Sequence, residues 1–194
     1  ASIIYEAVTK GLDPTVEMKD SGIEWIGEIP KSWATSPLKA LVSCNELTLS
    51  EKTDDDFEFE YIDIGSVQHG YGVTQTQHLM FKDAPSRARR IVNENDVILS
   101  TVRTYLKAVA MIDKITSPTI VSTGFAVLHP KNICAAFLYY AVLSDNFVST
   151  VEANSVGISY PAINASDILS MKIPHPIRIE EQKSIANRLD VKCS

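Results

Sequence analysis

Between Pro85 and Lys107 the sequence PSRARRIVNENDVILSTVRTYLK gathers the side chains best suited to chemistry. Arg87, Arg89 and Arg90 come first, then an apolar strand, then Thr101, Arg103, Thr104, Tyr105 and Lys107 in the connection that follows. Guanidinium forks match phosphate oxygens and guanine edges, and Ser, Thr and Tyr hydroxyls match phosphates, so the pattern points to nucleic-acid contact. The competing assignment for Arg87, Arg89 and Arg90 is ion pairing with Glu94, Asp96 or the acidic run Glu51–Glu60. Arg103, in a strand-to-strand turn between Thr101 and Thr104, leans toward nucleic acid. A second polar loop, NSVGISY over Asn154–Tyr160, carries Ser159 and Tyr160 and is of the kind that reaches a groove from a rigid scaffold. Ser122-Thr123-Gly124, between apolar strands, allows close approach of backbone or ligand, or simply a bulge.

Catalytic patterns are missing. The chain has no Gly-rich phosphate loop, no GxGxxG, no HExxH and no GxSxG. His69, His78, His129 and His175 are scattered, so no metal ligands and no cofactor are assigned. Asp167 with Glu181 and Lys183 has the composition of a Mg²⁺ nuclease site. Helix starts explain Asp167 and Glu181 better, because acids favour the first helical turn. No catalytic residue is assigned.

The net charge of −6 argues against nucleic acid until it is divided along the chain. Residues 1–30 and 31–60 are each net −4, whereas 61–194 is net +2. A local basic face on an acidic protein is therefore compatible with the composition, and the local field is what a ligand meets. Hydrophobic residues make up 45 %, enough for one folded domain. No apolar run approaches the ~20 residues that span a bilayer, and the first residues lack the pattern of a signal peptide. The odd, dispersed Cys44, Cys134 and Cys193 fit a reducing cytoplasm.

The elements that must position these residues read as follows. Ser2–Lys10 is the end of a helix with Ile3, Ile4 and Ala7 on one face, capped by Gly11. Asp13–Asp20 is a polar linker, Gly22–Trp33 an irregular aromatic segment, and Glu51–Glu60 a charged loop. Tyr61–Ile64 alternates as a strand. Asp96–Thr101 and Lys107–Ile112 form a strand pair, and Ile120–Val121 and Phe125–Leu128 are further strands. Ala135–Leu143 and Asn146–Ala153 have helical periodicity. A short helix starts at Asn164–Asp167, an alternating strand follows through Ile168, Met171 and Ile173, and Pro174 and Pro176 punctuate the chain. A final helix runs from Ile179 with Ile185, Ala186 and Leu189 on its apolar side.

EAVTKGLDP (6–14), MKDSGIEWIGEIPKSW (18–33), YIDIGSV (61–67), ARRIVNENDVILSTVR (88–103), VSTGFAVLHP (121–130) and the closing segment 157–183 resemble the specificity subunit of type I restriction–modification enzymes, specifically one target recognition domain. Tyr160 precedes Pro161 where that family often has Gln. The resemblance implies an α/β (α+β) mixed-sheet domain similar to that of adenine-specific DNA methyltransferases, over residues 21–178. Residues 1–20 would end one long spacer helix and its linker, and 179–194 would begin the next. It further implies that the domain reads one half of a bipartite site in double-stranded DNA. Methyl transfer and cleavage would belong to the methyltransferase and restriction subunits. Ile3, Ile4, Ala7, Ile185, Ala186 and Leu189 would then serve helix packing against the methyltransferase or a second copy.

Overall fold

The computed structural model describes residues 2–193. The chain runs from α1 (Ile3–Lys10) into β1 (Met18–Asp20), β2 (Glu28–Pro30), β3 (Trp33–Pro37) and β4 (Val42–Cys44). It continues through β5 (Glu58–Ile62), β6 (Val67–Gln68), β7 (Gly72–Val73), β8 (Gln77–Met80), β9 (Ala88–Ile91) and β10 (Val97–Ser100). The last strands of the centre are β11 (Val109–Met111), β12 (Thr119–Ser122) and β13 (Phe125–Pro130). The chain closes with α2 (Ala135–Leu143), α3 (Asp145–Ala153), α4 (Ala165–Ser170), β14 (Lys172–Pro176) and α5 (Ile179–Cys193).

Two four-stranded sheets form the centre. One, in the order β11-β10-β13-β4, is antiparallel throughout. The other, β8-β5-β12-β9, pairs β5 with β12 in parallel and is antiparallel elsewhere. β10 explains how they stack. Val97 and Leu99 face the helices α1, α2 and α5, while Ile98 faces Ile62, Val92 and Val121 on the side of the second sheet. β13 alternates the same way, with Ala126 and Leu128 toward the helices and Phe125 and Val127 away from them. A strand buried on both faces must read as an unbroken apolar run, and VIL and FAVL do so. Phe59, Tyr61, Ala88 and Ile120 make a smaller cluster on the far side of the second sheet. The expected charged loop over 51–60 thus ends in β5, where Phe59 is fully buried.

The two ends of the chain are tied together. β3 pairs antiparallel with β14, from Trp33 opposite Pro176 to Pro37 opposite Lys172. Pro174 and Pro176 therefore lie inside a strand, not after one. A two-stranded ribbon tolerates them because each strand has an unpaired edge on which a missing N–H costs nothing. Ile168 and Met171 fall outside that strand: Ile168 sits on α4, whose end at Ser170 precedes Met171. The segment Gly22–Trp33 is also more regular than its composition indicates, since β2 pairs with β1, a strand drawn from the presumed linker.

Side chains complete the frame. Trp33 Nε1 donates to Glu181 Oε1 at 2.9 Å, and Ser36 Oγ meets His175 Nε2 at 2.9 Å. Gln182, only 1 % exposed, accepts from the Cys134 N–H at the start of α2 and donates to the Pro176 carbonyl, each at 2.8 Å. Tyr140 Oη on α2 donates to Asp190 Oδ1 on α5 at 2.7 Å. Burial and that bond push its phenol well above the ordinary value.

Candidate nucleic-acid interface

Three connections meet at one end of the sheets. Thr101 donates from both its N–H and its hydroxyl to the Gly124 carbonyl, at 2.8 and 3.0 Å. Its own carbonyl accepts from Ile163 N at 2.9 Å, and Val102 bridges to Ala162. Thr104, 2 % exposed, donates its hydroxyl to Ser155 Oγ at 2.8 Å. A pair of backbone bonds between Val156 and Ala162 closes the loop that carries Ser159 and Tyr160. The turn 101–107, the β12–β13 turn and the loop 154–162 are thus one knitted unit. Gly124 is required there, since a Cβ would come within 2.8 Å of Val102 Cγ2.

In this unit Thr101 and Thr104, expected as phosphate ligands, have internal partners. Their hydroxyls hold loop to loop, and Thr104 is out of reach of any ligand. Arg103 and Lys107 both adopt left-handed backbone conformations, with φ of 49° each. Side chains other than Gly, Asn and Asp seldom do so, and such strain concentrates at functional sites. What the unit presents outward is Tyr105, Ile158, Ser159 and Tyr160. Tyr160 is 76 % exposed and Ile158 fully so. Lys107 lies 3.9 Å from Glu152 of α3.

Arg87 and Arg103 line one open depression of about 490 Å³, together with Asp63, Val102 and Thr123. Arg87 is paired, but with Asp63 rather than with the expected partners: Nη2 reaches Oδ2 at 3.0 Å and Nε reaches Oδ1 at 3.4 Å. Asp63 Oδ1 also accepts the Ile64 N–H at 2.8 Å, capping the turn after β5. Burial alone would raise this carboxyl. Its bonds to Arg87 and Ile64 and the charges of Arg87 and Arg103 outweigh that and hold it below the usual range. Asp63 lies inside YIDIGSV, and sequence reasoning missed it as a site residue. The available signal was its place at the end of an alternating strand, where a carboxylate caps a turn.

Arg89 and Arg90 do not join that depression. Between Val121 and Ser122 the β9–β12 register slips, and Arg89 is the extra residue of the bulge. Its guanidinium lies 4.8 Å over the Phe81 ring and donates to the Ala88 carbonyl at 2.9 Å. Arg90, paired with Val121, has a buried Nε, and its charge partly offsets the burial that raises the Cys44 thiol. The three arginines therefore separate: Arg87 lies at the surface depression, Arg89 over Phe81, and Arg90 with its Nε buried.

The residues expected to meet partner helices are mostly covered within the chain. Ala7, Ile185, Ala186 and Leu189 lie in the core between α1, α2 and α5, while Ile4 is half-buried against it and Ile3 stays exposed. The apolar face of α1 thus finds its partner at the other end of the sequence. Asp167 is on α4 and Glu181 and Lys183 are on α5, where Glu181 is engaged by Trp33. Among the described residues no three His, Cys, Asp or Glu side chains converge on a metal position, and no helix is long and apolar enough to cross a membrane.

Two stacked sheets with knitted loops at one end make a domain of mixed α/β type. The family model of the type I restriction modification DNA specificity domain matches residues 30–191, and the chain belongs to that family. It is 27 % identical over 190 residues to the MjaVIII type I restriction enzyme specificity subunit of Methanocaldococcus jannaschii, covering 93 % of this chain and 43 % of that protein. The fold is similar to the HsdS subunit from Thermoanaerobacter tengcongensis, with a TM-score of 0.72 and 27 % identity over 84 % of this chain and 42 % of that one. A chain solved for the complex assembly and conformational transition of the type I R-M system gives a TM-score of 0.75 at 27 % identity, over 84 % of this chain and 43 % of that one. The chain thus spans well under half the length of these relatives.

Proposed function

We propose that this chain is a non-catalytic DNA-reading module that recognises one half of a bipartite target for a type I restriction–modification complex. The observation that carries the reading is the knitted loop unit, which holds Tyr105 and Tyr160 outward and sets half-buried Arg103 with Arg87 in one depression, on a specificity-domain fold. Arginine and lysine would anchor phosphates while loop side chains read base edges in the major groove. Methyl transfer and cleavage would belong to a methyltransferase and a restriction subunit in a cytoplasmic complex. Equilibrium titration with duplex DNA at two salt concentrations tests the reading. Affinity should fall steeply as salt rises, because each neutralised phosphate releases counterions. Salt-insensitive association would contradict it.

A second reading, docking of a methyltransferase subunit through the terminal helices with little DNA binding by the chain alone, is favoured by exposed Ile3, Ile179 and Val191. The same exposed positions would serve self-association. Mixing the chain with a methyltransferase subunit, before and after Ile3→Ser and Val191→Ser, separates this contribution from DNA binding.

A further inference from the structure

We infer that Arg87, clamped by Asp63, reads a guanine rather than a phosphate, so that the half-site contains a G·C pair whose guanine major-groove edge faces this depression. The inference rests on the DNA-reading function proposed above and names the base at one position of it. Asp63 takes the Nε–H and one Nη2–H of Arg87 through its two oxygens, and the Tyr61 hydroxyl, 3.5 Å from the same Asp63 Oδ1, also interacts with this guanidinium. A guanidinium has five N–H donors in a fixed fork. Occupying its side edge leaves the end edge, one N–H from each Nη, parallel and pointing away from the carboxylate. Those two donors match the O6 and N7 acceptors of guanine. Adenine offers N7 beside an N6 donor, and arginine has no acceptor to meet it.

The carboxylate also argues against a phosphate at this position. An anion placed on Arg87 would sit beside an ionised Asp63, whereas a neutral base edge meets no such repulsion. Asp63 is itself fixed, because Oδ1 is held by the Ile64 N–H at the start of a turn. It is therefore a positioning residue: it sets the Arg87 rotamer and leaves Arg103, in the same depression, to meet the backbone.

The test begins with selection of duplexes bound by the intact chain from a random pool. Each guanine of the enriched half-site is then replaced by 7-deazaguanine, which deletes the N7 acceptor. One position should lose roughly tenfold in wild-type affinity, the scale of a bidentate base contact, and Arg87→Ala, which removes every donor, should be indifferent to the same replacement. Asp63→Asn keeps an acceptor for Ile64 but weakens the clamp. It should lower the preference for that guanine while leaving binding to unrelated duplexes equal or stronger. An enriched half-site in which no guanine behaves this way overturns the Arg87 assignment and leaves the recognition reading standing. No enrichment at all overturns both. Circular dichroism establishes that each variant is folded. Because Arg87 is exposed, Arg87→Ala should fold even where Asp63→Asn does not, and it separates these outcomes without its companion.

Discussion

The seam that joins the chain ends and the loop unit at the end of the sheets are held by the same kinds of bond but use them differently. At the seam, Trp33, Gln182 and His175 are buried and their polar atoms meet partners inside the chain. In the loop unit the bonds through Thr101 and Thr104 are internal, and they leave Tyr105 and Tyr160 facing outward and Arg103 half-buried at the depression. The seam is built for stability. The loop unit carries backbone strain at the half-buried, left-handed Arg103 and Lys107.

Substitutions should separate the two regions. Trp33→Ala removes a side chain that is 1 % exposed and packs edge-on against Phe137 at 6.2 Å. A loss of about 3–5 kcal/mol is expected by urea denaturation. Gln182→Leu orphans the Cys134 N–H, at about 1–3 kcal/mol for a buried group left unpaired, while the Pro176 carbonyl keeps the ring nitrogen of His175 at 3.0 Å. Gly124→Ala drives a methyl into Val102 and should cost about 1–3 kcal/mol. Because it displaces the turn that carries Arg103, DNA affinity should fall as well, which neither seam variant should cause in protein that remains folded.

Arg103→Gly should do the reverse. It relieves the left-handed strain, so the melting temperature should hold or rise slightly, while DNA affinity falls and the salt slope drops by about 1. A parallel loss of stability would erase the contrast between the regions.

The smallest effect concerns pH. His78 lies 2.9 Å from Glu60 and 3.4 Å from Glu58, on the second sheet away from both regions. The Glu60 hydrogen bond, aided by the Glu58 and Glu60 charges, raises its pKa above 6.5. A raised imidazole pKa contributes stability below the unfolded value that disappears as pH climbs through the folded one. The melting-temperature gap between wild type and His78→Gln should therefore be widest below about pH 6.5 and close on going alkaline. DNA-bound and unbound forms should show the same trend.

Local features were legible. The periodicity of α2 and α3, the Gly11 cap after Lys10 with φ of 75°, and the β10–β11 pair all lie within short windows of sequence. Long-range pairing was not. β3 with β14 joins positions at opposite ends of the chain, and its prolines read as punctuation because nothing local reveals an unpaired edge. The parallel β5–β12 pairing is equally silent. At the site, side-chain type suggested Arg87 and Arg103, which share the depression. It also suggested Arg89 and Arg90, which a one-residue bulge turns elsewhere. The clamp on Arg87 required knowing that β5 and β9 flank β12 in one sheet, so that the end of one and the start of the other meet across it, which Asp63 alone does not disclose.

The most direct measurement compares the affinity of the intact chain for its selected half-site duplex with that for a shuffled duplex, at about 50 and 200 mM salt. If the loop unit reads DNA, both affinities fall with salt while the selected duplex stays at least about tenfold tighter at each concentration. Equal affinities for the two duplexes, or binding indifferent to salt, would contradict the account.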